Sequence, residues 1–154
     1  MKPTLLIISL LISIYSQAQI SITLKYKRSK CGGAKNQDTT SYFLLANKKW
    51  IIQYPSKKID TIVTDIQGKI KLPAQKGTYL LFEPWKFYHT APSDFPMSLY
   101  DKNCLSSSYS TPDFTIQITS NRKYKISPSY YYIPCPDKHP CLRKDTIIPR
   151  IPSH

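Results

Sequence analysis

The chain has 154 residues, with 22 basic against 9 acidic side chains, a formal charge of +13 and a mean hydropathy of −0.35. That length makes one domain with a modest core rather than several. The charge favours anionic partners, but the basic residues are scattered and never form a run of five, and no nucleic-acid-reading motif accompanies them. Specific nucleic-acid recognition is therefore not expected.

Residues 1–18 read as a signal peptide: Lys2, the apolar run Leu5–Ile14, then Ser16-Gln17-Ala18 with small residues at the −3 and −1 positions. The run is shorter than the roughly 20 residues of a membrane-spanning helix, and no cysteine at the cleavage point signals a lipid anchor. A secreted or periplasmic protein starting near Gln19 is expected, with 21 basic and 9 acidic residues and a charge of +12. An uncleaved signal anchor is the alternative.

Residues 19–133 are expected to form the domain. Ile20, Ile22, Leu24 and Tyr26 alternate with polar residues, which is the two-residue period of a half-buried strand. Cys31-Gly32-Gly33-Ala34 follows; no GK[ST] comes after it, so it reads as a turn and not a phosphate loop. Tyr42–Leu45 and Trp50–Tyr54 make two strands or one interrupted strand. Then come Asp60–Thr64, Lys69–Leu72 and Thr78–Phe82, joined by corners at Asp65–Gly68 and Gly77, where Asp bonds back to the backbone and Gly accepts positive φ. Trp50 and Tyr79, on these strands, are expected in the core.

Ten of the 13 prolines lie from Pro84 onward. Pro84–Leu99 reads as an extended surface excursion, with one helical turn near Asp94. Phe114, Ile116 and Ile118 make a further strand, and Tyr124–Ile126 and Tyr130–Ile133 supply the last. Residues 134–154 read as a proline-rich, disulfide-stapled tail. No window shows a 3.6-residue apolar stripe, so little helix is expected. The fold class is all-β, a small antiparallel β-sandwich.

Cys31, Cys104, Cys135 and Cys141 all follow the signal, and an even count in an oxidising compartment reads as two disulfides. Of three pairings, Cys135–Cys141 is favoured by its short proline-bounded loop, leaving Cys31–Cys104. Zinc on Cys135, His139 and Cys141 is the rival, but the paired knuckles usual for zinc are missing, so no metal or other cofactor is expected.

Catalysis is not expected either. His89 beside Asp94 or Asp101 is the nearest approach to a base, giving a small hydrolase as one alternative, and a ribonuclease using His89 and His139 has only composition behind it. Glu83 and Asp94 fit no spacing rule for paired carboxylates. Binding leans on aromatics: Trp85, Phe87 and Tyr88 beside Lys86 and His89 form the preferred contact surface.

The run Val63–Phe82, VTDIQGKIKLPAQKGTYLLF, resembles the carboxypeptidase regulatory-like and prealbumin-like (transthyretin-like) β-sandwich domains of small secreted Bacteroidetes-type proteins. The shared pattern is a strand, T-D-x-x-G, an apolar-x-apolar strand, a turn, then G-x-Y and another strand. Ala18-Gln19, Cys31–Ala34 and Pro134–Cys141 are also similar to small members of that group. The usual opening G-x-V strand is not visible, and the Pro84–Pro112 excursion lies outside the minimal domain. The resemblance implies a non-catalytic accessory module, and because the shared positions belong to turns and core it carries over no site residue. The expected partner is an envelope protein, with peripheral membrane contact compatible. The alternative is electrostatic association with lipopolysaccharide, lipid or acidic glycans.

Overall fold

A computed structural model describes residues 18–28, 41–92, 95–120, 123–133 and 140–143. The signal segment to Gln17, Cys31–Ala34, Asp94, Cys135 and His139 lie outside these residues, as does most of the tail. The first strand pattern resolves into two strands, β1 (Gln19–Thr23) and β2 (Lys25–Arg28), followed by β3 (Phe43–Leu44) and β4 (Lys49–Gln53). Next come β5 (Ile59–Val63), β6 (Lys69–Pro73) and β7 (Gly77–Phe82). After an excursion, β8 (Phe114–Ser120), β9 (Lys123–Ser127) and β10 (Tyr131–Ile133) close the fold. The described residues are mostly strand with few helices.

The described strands form a five-stranded antiparallel sheet in the order β5-β4-β7-β8-β9, an antiparallel β1-β6 pair, and a three-stranded sheet β10-β2-β3. In the last, β10 runs parallel to β2, so antiparallel pairing is not universal here. Leu24 is where the chain passes from one pairing to the next. Its N–H donates to Gly68 O at 2.8 Å, while its carbonyl accepts from Leu45 N at 3.1 Å.

The period-two pattern decides which faces are buried. Ile20 and Ile22 of β1, Ile70 and Leu72 of β6, and one face of the five-stranded sheet (Trp50, Ile52, Tyr79, Leu81, Phe114, Ile116, Ile118) join in a single apolar cluster. Trp50 and Tyr79 are fully buried, as expected. Each such aliphatic side chain contributes on the order of 2 kcal/mol by leaving water. Ile51 points to the opposite face of β4 and is buried outside that cluster.

The Asp65–Gly68 turn forms as read. Gly68 N donates to Asp65 O at 2.9 Å, and Asp65 Oδ1 accepts from the amides of Gln67 and Lys69, both at 2.8 Å. Gly68 has φ +68°, and a Cβ there would stand 2.9 Å from Leu24 O. Glycine is thus required both by conformation and by close approach.

The excursion is not extended. Helix α1 (Pro84–Phe87) follows β7 at once, a 3-10 turn spans Met97–Leu99, and helix α2 (Lys102–Tyr109) comes before β8. Pro84 begins α1, where a missing N–H costs nothing. Apart from Lys102 and Leu105, the residues of KNCLSSSY favour helix only weakly. What starts α2 is Asp101, whose carboxylate accepts from Cys104 N at 2.8 Å as an N-cap.

Cys141 is bonded to Cys104, not to Cys135 as the short-loop reasoning expects. The physical reason is a strap: Tyr100 bridges Leu142, Asp101 N donates to Cys141 O at 2.8 Å, and Arg143 N donates to Leu99 O at 3.0 Å. That pairing brings the two Cα atoms to 5.3 Å across 37 residues, within disulfide range. Cys141 is thereby removed from the zinc set, and no metal-holding cluster occurs among the described residues.

Candidate functional site

The site grows from the point where β7 hands over to α1. Glu83 is the N-cap residue of α1, yet its carboxylate does not cap the helix. It turns into the protein and accepts from Lys48 Nζ, from Trp85 Nε1 at 2.7 Å and from Tyr131 Oη at 2.7 Å. A nearly buried carboxylate is tolerable only when its charge and lone pairs are answered in this way. Its backbone N–H donates to Asp113 Oδ2 at 2.7 Å, and Asp113 in turn holds Lys86 at 2.7 Å, with Lys86 Nζ also donating to Thr111 O at 3.0 Å. Two carboxylates and two lysines from three separate segments are thus tied together at one end of the five-stranded sheet.

Each partner is held from behind. Lys48 follows a tight connection in which Asn47 adopts φ 53°, a conformation Asn tolerates. The buried Thr64 fixes that connection: its hydroxyl donates to Leu45 O and accepts from Lys48 N at 2.8 Å. Tyr131 is the first residue of β10, and its ring meets Trp50 edge-on at 5.8 Å. Lys48 lies over both Trp50 and Tyr131, 5.7 Å from each ring. Among the described residues the indole N–H of Trp50 meets no hydrogen-bond partner, and its ring packs against Phe114 and Tyr131.

The electrostatics follow. Burial alone pushes Glu83 up, but the charge of Lys48 and hydrogen bonds from Lys48, Tyr131 and Trp85 together hold it below the usual glutamate range. Asp113 goes the other way, because burial outweighs what Lys86 supplies. Burial, then the charge and hydrogen bond of Glu83, keep the Tyr131 hydroxyl protonated far above the tyrosine range.

The five residues of the expected contact surface lie together but face two ways. Trp85 and Lys86 turn inward to Glu83 and Asp113. Phe87 and Tyr88 turn out, 37% and 59% exposed, with their rings edge-on at 5.4 Å. His89, at φ 54°, lies flat against Tyr109 of α2 at 4.6 Å, and Tyr109 also meets Trp85 at 6.0 Å. Of the acids considered as partners for His89, Asp101 is committed to capping α2 and Asp94 lies outside the described residues.

Two pockets flank Trp85. One, of about 240 Å³, is lined by Lys48, Glu83, Trp85, Tyr131 and Pro140 among others. The other, of about 550 Å³, has Lys86, Asp113 and Tyr130–Tyr132 in its wall and shares Trp85, Tyr131 and Pro140 with the first. Pro140 belongs to the disulfide-held strap, which therefore borders both. No family model, curated protein or solved structure matches this chain.

Sequence reasoning found Trp85–His89 but missed Lys48, Asp113 and Tyr131. These lie 35, 30 and 48 residues from Glu83. The one available signal was Glu83 itself, an acidic residue flanked by Phe82, Pro84 and Trp85.

Proposed function

We propose that this is a secreted or periplasmic, non-catalytic binding module of the cell envelope. In this reading it is a β-sandwich of the carboxypeptidase regulatory-like, prealbumin-like kind, and it engages an envelope partner through the outward side of residues 85–89. The observation that carries the reading is the contrast within that segment. Trp85 and Lys86 are fixed from beneath by Glu83 and Asp113, while the adjacent Phe87 and Tyr88 stand exposed as an edge-on aromatic pair. Large exposed rings on a fixed backbone are what protein contacts use, since little freedom is lost on binding. The core shared between the β1-β6 pair and the five-stranded sheet supports the sandwich reading.

The test is capture from native envelope by the tagged chain, washed at low and then high salt, against a Phe87→Ala/Tyr88→Ala double variant whose melting is unchanged. One defined partner that survives high salt and is lost with the variant supports the reading. Capture that is equal for both proteins, or that vanishes with salt, overturns it.

A further inference from the structure

A third concavity lies away from the aromatic segment and differs from it in charge. It has a volume of about 660 Å³, and among the described residues its wall contains two lysines, Lys25 and Lys69, and no carboxylate. Strand register explains the convergence. Thr23 stands opposite Lys69 in the β1-β6 pair, Lys25 follows Thr23 two residues on, and Leu44 is the cross-strand neighbour of Lys25. Alternate residues of β9, Tyr124 and Ile126, supply the facing wall, with Ser129 just beyond.

Among the described residues neither ammonium meets a carboxylate. The ion pairs among the described residues use Lys48, Lys58 and Lys86. Lys69 Nζ donates to the neutral amide of Gln67 at 2.7 Å, and among the described residues Lys25 lies 5.9 Å from the Tyr42 ring. Asp65 is in the adjoining turn, but its Oδ1 is engaged by the amides of Gln67 and Lys69. Lys27, on the same face of β2 as Lys25, adds positive charge and lies over Tyr42 and Tyr130. Like charges converging on a concave surface raise the local concentration of anions.

We infer that this groove binds an acidic oligosaccharide, one bearing carboxylate or sulfate groups on its sugar rings. Its chemistry selects against a bare phosphate. The amides of Gln67, Gly68 and Lys69 are consumed within the turn or face Asp65, so no backbone nest is open, and no arginine lines the wall. What the groove offers is two ammoniums for the acid groups, hydroxyl and amide groups of Thr23, Ser129 and Gln67 for sugar hydroxyls, and the exposed Tyr124 and Leu44 for ring faces. The site does not depend on the Phe87–Tyr88 surface, and variants there leave it intact.

The test is calorimetric titration of the full chain with an oligogalacturonate and with a sulfated oligosaccharide of similar length, at two salt concentrations. Neutral maltohexaose and anionic phospholipid vesicles serve as comparison probes. Binding of at least one acidic oligosaccharide is expected, weakened about tenfold or more in Lys25→Gln/Lys69→Gln and severalfold in Tyr124→Ala, which leaves the charge unchanged. A double variant of exposed lysines outside the groove, Lys49→Gln/Lys76→Gln, is expected to change affinity less than twofold. Equal weakening by the two lysine doubles, no effect of Tyr124→Ala, stronger binding to the vesicles, or no binding of either acidic oligosaccharide overturns the inference.

Discussion

Lys48 and Lys86 form one basic region of this protein, and Lys25 and Lys69 another, yet the two do opposite things. In the first, each ammonium meets a carboxylate inside the fold: Lys86 and Asp113 are 12% and 7% exposed, Lys48 and Glu83 38% and 9%. In the second, the ammoniums stand at the surface of a groove whose described wall carries no acid. The difference teaches that net charge alone is a poor guide to what a basic chain does. A lysine opposite a buried carboxylate is part of the structure, and removing it leaves an uncompensated charge. A lysine opposite solvent holds almost nothing together and is available to a ligand.

The sharpest break should come at the cover of the first region. Replacing both Cys104 and Cys141 by Ala opens a 37-residue loop, which the chain-entropy relation puts at about 4 kcal/mol of unfolding free energy. Denaturant unfolding measures it, and a loss below about 1 kcal/mol would mean that the strap is held by its backbone pairing alone. Peptide mapping without reductant should also recover Cys104 linked to Cys141.

Next in size are the buried charges. Glu83→Ala strands the Tyr131 hydroxyl and the Trp85 indole N–H, and a loss of about 3 kcal/mol is expected. The two lysines should separate. Lys86→Met leaves Asp113 charged and buried, for about 2 to 3 kcal/mol, whereas Lys48 is a third exposed and its loss is screened, for about 1 kcal/mol. Equal losses for the two lysine variants would contradict the burial difference between them.

The same carboxylates give acid titrations of opposite sign. Below the ordinary glutamate value of 4.5 and down to the lower folded value of Glu83, the unfolded chain binds the extra proton. Stability from Glu83 is therefore present above that window and lost as pH falls through it. For Asp113 the native state binds the extra proton between the ordinary 3.8 and its raised folded value, so stability from this group falls as pH rises. Melting temperature against pH should fall less steeply on acidification in Glu83→Gln, and more steeply in Asp113→Asn. Parallel curves for the two variants and the parent protein would refute the assignment.

The strands were legible because alternation is a local property: Ile20 and Ile22, Ile70 and Leu72, Tyr79 and Leu81 show their buried face within a few residues. The Asp65–Gly68 turn was legible for the same reason. Helix α2 was not, since its serines and asparagine favour helix weakly and its start depends on the Asp101 cap and the strap. The Cys104–Cys141 pairing was hidden because loop length says nothing of which segments lie side by side. In the candidate site, Trp85–Tyr88 could be read as an aromatic run, but a short helix splits it by direction, and only the fold shows Trp85 and Lys86 facing inward. Lys25 and Lys69 looked like any other scattered lysines until the β1-β6 register brought them to one groove.

The smallest expected effect is the one that separates the two regions most cleanly. Lys25→Gln/Lys69→Gln removes two charges from exposed positions that meet no carboxylate among the described residues, so the unfolding free energy should move by no more than about 0.5 kcal/mol. Any shift should be toward greater stability, and it should shrink as salt rises, because relief of repulsion between solvated ammoniums is screened over about 8 Å at physiological ionic strength. A loss of 2 kcal/mol, comparable to Lys86→Met, would show that these lysines hold the β1-β6 and β2-β3 edges together. A stable variant, by contrast, leaves the positive groove with no role in holding the fold and its two lysines open to a ligand.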